Sequence, residues 1–171
     1  PINSEAYQDR LYVNDGKGHF NLVKNALPPM RSSKSCVRAA DLNGDGKLDL
    51  FVGGRVVPGK YPMAAASYLL RNDSKIKDHP HFSDITSKFC PELSHIGLVS
   101  DAIFTDFNGD GQPDLILAGE WMPITFLEQK AGKFINVTST TGLADKTGWF
   151  TSITAGDFDN DGDTDYIVGN L

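Results

Sequence analysis

The chain has 171 residues, is 40% hydrophobic, and sets 16 basic against 22 acidic side chains for a formal net charge of −6. That length can bury a core, and no apolar run approaches a membrane span. No basic stripe offsets the acidity, which excludes nucleic acid as a partner.

In chain order, Arg10-Leu-Tyr-Val-Asn-Asp15 and Phe20-Asn-Leu-Val23 read as two short strands across a turn. Cys36-Val-Arg-Ala-Ala40 and Leu50-Phe-Val-Gly-Gly54 follow as another pair, joined by the acidic loop Asp41-Leu-Asn-Gly-Asp-Gly-Lys-Leu-Asp49. Tyr68-Leu-Leu-Arg-Asn-Asp73 and Phe82-Ser-Asp-Ile-Thr86 then repeat the pattern of the opening pair. The cycle recurs with Asp101-Ala-Ile-Phe-Thr105, the loop Asp106-Phe-Asn-Gly-Asp-Gly-Gln-Pro-Asp114, Leu115-Ile-Leu-Ala-Gly119, Thr125-Phe-Leu-Glu-Gln-Lys130 and Phe134-Ile-Asn-Val-Thr138. It begins a third time with Ser152-Ile-Thr-Ala-Gly156, the loop Asp157-Phe-Asp-Asn-Asp-Gly-Asp-Thr-Asp165 and Tyr166-Ile-Val-Gly-Asn170. These apolar, β-branched runs are too short for helices.

One complete unit is strand, acidic loop, strand, connection, strand, turn, strand. That describes a four-stranded blade, and the loops, starting at 41, 106 and 157, recur at separations of 65 and 51 residues, near the repeat length of propeller arrays. The expected fold is therefore all-β, a single β-propeller segment over 1–171. It comprises a half-blade at about 10–25, blades at about 36–89 and 101–140, and a half-blade at about 151–171, three blade equivalents in all. Three blades leave sheet edges uncovered, so the chain is expected to be a piece of a longer propeller, or two copies to meet as a homodimer closing a six-bladed ring. The start at Pro1, inside a blade, points to an excerpt from a longer protein.

Each loop places oxygen side chains at positions 1, 3, 5 and 9 with Gly at 6, the pattern by which a short loop wraps hard ligands around Ca²⁺. Asn-Gly and Asp-Gly also mark plain hairpin turns. A plain turn, however, has no use for carboxylates at alternate positions, which repel without a counter-ion. An EF-hand is excluded, because its bidentate Glu at position 12 is replaced here by Val52, Leu117 and Val168. Three calcium sites are expected. Asp41, Asn43, Asp45 and Asp49 would hold the first with the carbonyl of Lys47. Asp106, Asn108, Asp110 and Asp114 would hold the second with the carbonyl of Gln112. Asp157, Asp159, Asp161 and Asp165 would hold the third with the carbonyl of Asp163, and the extra carboxylate predicts the tightest binding there. Gly46, Gly111 and Gly162 would permit the turn. Three dications would cancel the charge of −6.

The D-x-[ND]-x-D-G-x-x-D loops between apolar strands resemble the FG-GAP or VCBS repeats of calcium-binding integrin α-subunit blades and of many secreted bacterial proteins. The Phe-Ser-Asp-Ile-Thr and Phe-Ile-Asn-Val-Thr endings, with Gly119-Glu-Trp-Met-Pro123, look closest to bacterial VCBS proteins. The resemblance implies a β-propeller whose metal sites are structural. It implies no single activity, since such propellers serve as adhesins, lectin-like binders and scaffolds of polysaccharide-degrading enzymes.

Other chemistry is thinner. His79, His81 and His95 lack zinc-site spacing and read as a solvated loop. Cys36 and Cys90 are read either as a disulfide or as two separate thiols. Trp121 and Trp149 are candidates for stacking on a sugar or for packing between blades, with Trp149 the better exposed after Thr147-Gly148. Arg31, Lys34 and Arg38 read as a solvated basic face, and Asn72-Asp-Ser74 and Asn136-Val-Thr138 match the glycosylation sequon.

The leading expectation is a non-catalytic, calcium-stabilised module for extracellular protein or glycan binding. Its location is extracellular or periplasmic, where calcium is plentiful enough to fill weak loops. The alternatives are a scaffold domain of a polysaccharide-degrading enzyme and a purely architectural repeat. No Ser/His/Asp or paired-Glu constellation is evident in the sequence to support catalysis.

Overall fold

A computed structural model describes residues 4–76 and 79–171. Pro1, Ile2 and Asn3 lie outside the described residues, as do Lys77 and Asp78 within the stretch read as the first full blade. Strand makes up 46% of the chain and helix 8%, and every strand pairing is antiparallel, which places the protein in the all-β class.

β1 (Leu11–Asn14) and β2 (Phe20–Val23) form a hairpin by themselves. β3 (Lys34–Ala40), β4 (Asp49–Gly54), β5 (Tyr68–Asn72) and β6 (Phe82–Asp84) form a four-stranded meander in sequence order. β7 (Leu98–Thr105), β8 (Asp114–Pro123), β9 (Thr125–Lys130) and β10 (Lys133–Asn136) repeat that meander, and β11 (Thr147–Gly156) pairs with β12 (Asp165–Asn170). Between β6 and β7 lie a single helical turn, α1 (Thr86–Phe89), and a 3-10 turn, Pro91–Ser94. Among the described residues no pairing joins the β1–β2 hairpin to β12, so the ring is not closed by these strands.

β8 runs further than its sequence suggests. Thr125 of β9 pairs with Leu117, yet β8 continues to Pro123, and its Glu120–Pro123 end takes Thr147–Trp149 of β11 as partners. One strand thereby stitches two blades, and β11 goes on to pair with β12. A one-residue register shift marks the stitch between Gly148 and Trp149.

Consecutive residues of the inner strands point into different cores, as the two-residue period of a strand requires. Phe51 and Leu69 join Leu115, Leu117 and Leu127 between the two four-stranded sheets. Val52 and Leu70 face the other way, onto Met30 and Leu11. Ile116, Ala118 and Phe126 pack against Ile153, Phe150 and Tyr166. Both faces of each meander are thus covered, with Leu69, Leu70, Leu115, Ile116 and Leu117 at 0% exposure. Each such side chain contributes about 1.5–3 kcal/mol by leaving water.

The two meanders end in the same lock. Asp84 Oδ1 accepts hydrogen bonds from Thr86 N–H and Oγ1, and Thr86 Oγ1 accepts from Leu69 N–H at 2.9 Å. Asn136, Thr138 and Phe126 N–H repeat this, with Thr138 Oγ1 accepting at 3.0 Å. The Asn136 sequon is therefore a structural element, its Oδ1 committed to Thr138. Asn72 Oδ1 likewise accepts from Ser74 N–H.

Of the two readings left open for the cysteines, the structure has the separate thiols: Cys36 and Cys90 are free and buried. One sequence expectation differs from the structure here. The basic group is not one solvated face: the Lys34 side chain is only 8% exposed and donates to the carbonyls of Met30 and Ser32, Arg31 stays exposed beside Glu5, and the half-exposed Arg38 pairs with Asp101. They find separate partners because Arg31 precedes β3 and an irregularity in the register between Lys34 and Val37 breaks the alternation that would set Lys34 and Arg38 on one face.

Candidate metal loops and the shelf beside them

The three acidic loops cap β3–β4, β7–β8 and β11–β12, and each folds around its own first carboxylate. Asp41 Oδ1 accepts from Gly44 N–H at 2.8 Å and Oδ2 from Gly46 N–H at 2.8 Å. Asp106 does the same with Gly109 and Gly111, both at 2.8 Å. Asp157 Oδ2 accepts from Gly162 N–H at 3.1 Å and Oδ1 from Asp161 N–H at 3.2 Å. The donors around Asp41 hold its carboxyl below the usual carboxylate range, the Gly46 N–H chief among them.

Positions 3 and 5 are tied in by the same rule. Asn43 and Asn108 accept from the N–H groups of Asp45 and Asp110, and Asp159 from that of Asp161. Asp45, Asp110 and Asp161 accept in turn from the N–H groups of Lys47, Gln112 and Asp163. The backbone is left-handed at position 6 and also at position 4, where Gly44 and Gly109 are matched by Asn160 at φ 63°. Asn tolerates that region better than most residues, which explains how the third loop keeps its shape without the glycine.

In the two complete blades position 9 differs from the rest because it is buried, whereas Asp165 is half-buried. Asp49 is 1% exposed and Asp114 0%. Asp49 Oδ2 accepts from Leu42 N–H and Oδ1 from Asn72 N–H on β5, at 2.7 Å. Asp114 Oδ2 accepts from Phe107 N–H and Oδ1 from Gln129 N–H on β9, at 2.8 Å. Burial pushes both carboxyls above their ordinary range despite these donors. Asp165 accepts from Phe158 N–H. In each complete blade the position-9 aspartate therefore joins its loop to the third strand of the same blade.

The donor set fits a hard cation. Asp157, Asp159 and Asp165 each bring a carboxylate oxygen within 4.8 Å of the others. The first two loops carry Asn at position 3 in place of one of these carboxylates. An oxygen already accepting one N–H keeps a second lone pair for an ion. Sequence reasoning missed Glu128 on β9, which accepts from Asn108 Nδ2 at 3.4 Å and adds a carboxylate beside the second loop. It also missed Gln129, whose Nε2 donates to Leu42 O at 2.8 Å and ties one blade to the neighbouring blade's loop. His79 and His81 line a surface groove with Asp73, Lys75 and Ile76, to which His95 does not contribute.

At the other end of β4 and β8 stands a second cluster. Arg55 follows Gly54 and Glu120 follows Gly119, so the two occupy the same place in successive blades, and they form an ion pair with Glu120 only 2% exposed. Both glycines are required by close approach: a Cβ on Gly54 would sit 2.2 Å from Ala66 O, and one on Gly119 would sit 2.4 Å from Leu98 O. Tyr61 donates its hydroxyl to Glu120 and accepts from Trp121 Nε1–H at 2.8 Å. Trp121 is the exposed tryptophan at 62%, and the half-buried Trp149 lies against it with ring centroids 5.3 Å apart. This reverses the exposure expected from Thr147-Gly148, because those residues are paired with β8.

Blades of four antiparallel strands, stacked face to face and entered through one recurring acidic loop, define a β-propeller segment. The sequence profile of the FG-GAP-like repeat matches residues 2–52 and 106–168, more than half of the chain, and the chain belongs to that family. No curated protein matches it significantly.

Proposed function

We propose that the protein is a calcium-stabilised, non-catalytic propeller module for extracellular or periplasmic binding of a protein or glycan. The observation that supports this reading above all is the hydrogen-bonded frame shared by the three loops. It holds carboxylate or amide oxygens at positions 1, 3 and 5 and roots the position-9 aspartates of the two complete blades in β5 and β9. An ion at the loop centre would offset the mutual repulsion of those carboxylates and so clamp the inner hairpin of each blade to its outer strands. The role is structural, since the ion would bind where strands meet. The family gives the blade and names no ligand. In calcium-saturated buffer the melting temperature should rise well above that of resin-stripped protein, and terbium should luminesce on the loops by energy transfer from nearby aromatic rings. Equal melting temperatures in the two buffers would overturn the calcium reading.

A further inference from the structure

We propose that the shelf built by Tyr61, Trp121 and Trp149 is the ligand site of this module, and that it takes a neutral hexose oligosaccharide. The proposal rests on the binding-module reading above and not on the calcium.

Trp121 is held in a left-handed backbone conformation at φ 59°, a region that bulky aromatic residues rarely occupy. Such a conformation persists only where the surroundings over-determine it, and it gathers at ligand sites. Here the surroundings are the indole N–H bond to Tyr61, the ring of Trp149, and the β8 overrun paired with β11. The outcome is a rigid indole that is 62% exposed beside a Tyr61 that is 57% exposed. A core-packing role would bury those rings, whereas a pyranose needs a flat apolar surface of this kind facing solvent.

The groove they border has a volume of about 630 Å³ and is lined by Tyr61, Ile96, Leu98, Glu120, Trp121 and Met122 among others. That size suits a small ligand. Its polar character is one-sided. The Trp121 N–H is spent on Tyr61, and the Tyr61 proton is directed at Glu120, so the Tyr61 oxygen offers a free lone pair and the groove presents acceptors. A ligand must therefore bring donors next to an apolar face, as sugar hydroxyls do. A proline-rich peptide brings carbonyl acceptors and would meet no free side-chain donor among the lining residues. No Lys, Arg or His lines the groove, and Arg55 is already matched by Glu120, so a uronate or sialate would find no free cation there.

The test is a tryptophan-fluorescence titration of the protein in calcium with cellobiose, maltose and lactose, set beside digalacturonate and decaproline. At least one neutral disaccharide should saturate the signal in the millimolar range, and the two other probes should not. Trp121→Gly removes the ring while suiting the left-handed backbone, so affinity should fall by about tenfold or more with the melting temperature kept within a few degrees. Tyr61→Phe keeps the ring and removes the acceptor, and should weaken binding independently, as read by calorimetry. No response to any neutral disaccharide, a response only to digalacturonate or decaproline, or unchanged affinity in both variants would overturn the proposal. Sugar binding by a protein that melts identically with and without calcium would sink the calcium reading alone. Calcium stabilisation without sugar binding would sink this one alone.

Discussion

Arg38 on β3 closes its guanidinium on the carboxylate of Asp101 on β7, across the boundary between two blades. The same guanidinium donates Nε–H to Ala102 O at 2.7 Å. Asp101 spends its second oxygen on Ile153 N–H of β11 at 3.1 Å, so this one carboxylate ties three successive first strands together. Asp101→Ala would leave the N–H of buried Ile153 without its acceptor and take the carboxylate partner from the Arg38 guanidinium, which would keep its bond to Ala102 O. It should cost about 2–4 kcal/mol and lower the melting temperature by about 5–15 °C. Arg38→Ala, whose side chain is 40% exposed, should cost less. A double-mutant cycle on thermal melts measures the coupling.

Asp114→Ala removes the acceptor of Gln129 N–H and Phe107 N–H together. We expect a loss of about 2–4 kcal/mol even in chelator, because unpaired buried N–H groups are costly whatever the ion does. Asp110→Ala, at an exposed position, should lose stability chiefly in calcium. Melting both variants with and without the ion separates the framing role from the ligand role.

Cys90 lies at 0% exposure, and burial pushes its thiol up to about 12. A pKa raised this far leaves the thiolate a minority throughout the neutral and mildly alkaline range. Its alkylation in the native protein should therefore be slow at pH 7 and climb about tenfold per pH unit up to pH 10 without levelling off. Both thiols should titrate at once in denaturant. Rapid native labelling of Cys90 by Ellman's reagent, followed by peptide mapping, would contradict the burial.

The β9–β10 hairpin turns through Ala131 at φ 51° and Gly132 at φ 73°. Two residues with positive φ make the turn that Asn-Gly fills best. Ala131→Asn should stabilise the protein by about 0.5–1 kcal/mol, seen as a rise of about 1–4 °C in differential scanning calorimetry.

The blades were legible in the sequence because the signal is local and repeated. A nine-residue acidic loop between strands of period two needs no long-range information, and three copies define the repeat. The lock at Asp84 and Thr86 was also visible as a repeated phrase, but its meaning was not, since an Asn-x-Thr triplet reads as a sequon until Thr138 is seen accepting from Phe126. What stayed hidden depends on distant partners. Lys34 looked solvated because nothing nearby in sequence shows its burial beside Asp9. Trp121 stayed open between stacking and packing because the β8 overrun and its hold on Tyr61, sixty residues away, exist only in three dimensions. The separation of Cys36 and Cys90 was equally beyond a linear reading.

The two-sided use of β8 has a consequence for how such arrays evolve. Leu115 and Leu117 speak to the preceding sheet, while Ile116 and Ala118 speak to the following one. A blade is thus a hinge-pin between two particular neighbours and not an interchangeable tile. A copy spliced elsewhere in the array would arrive with both flanks cut to the wrong contour, and duplication would succeed most easily where adjoining blades travel as a pair.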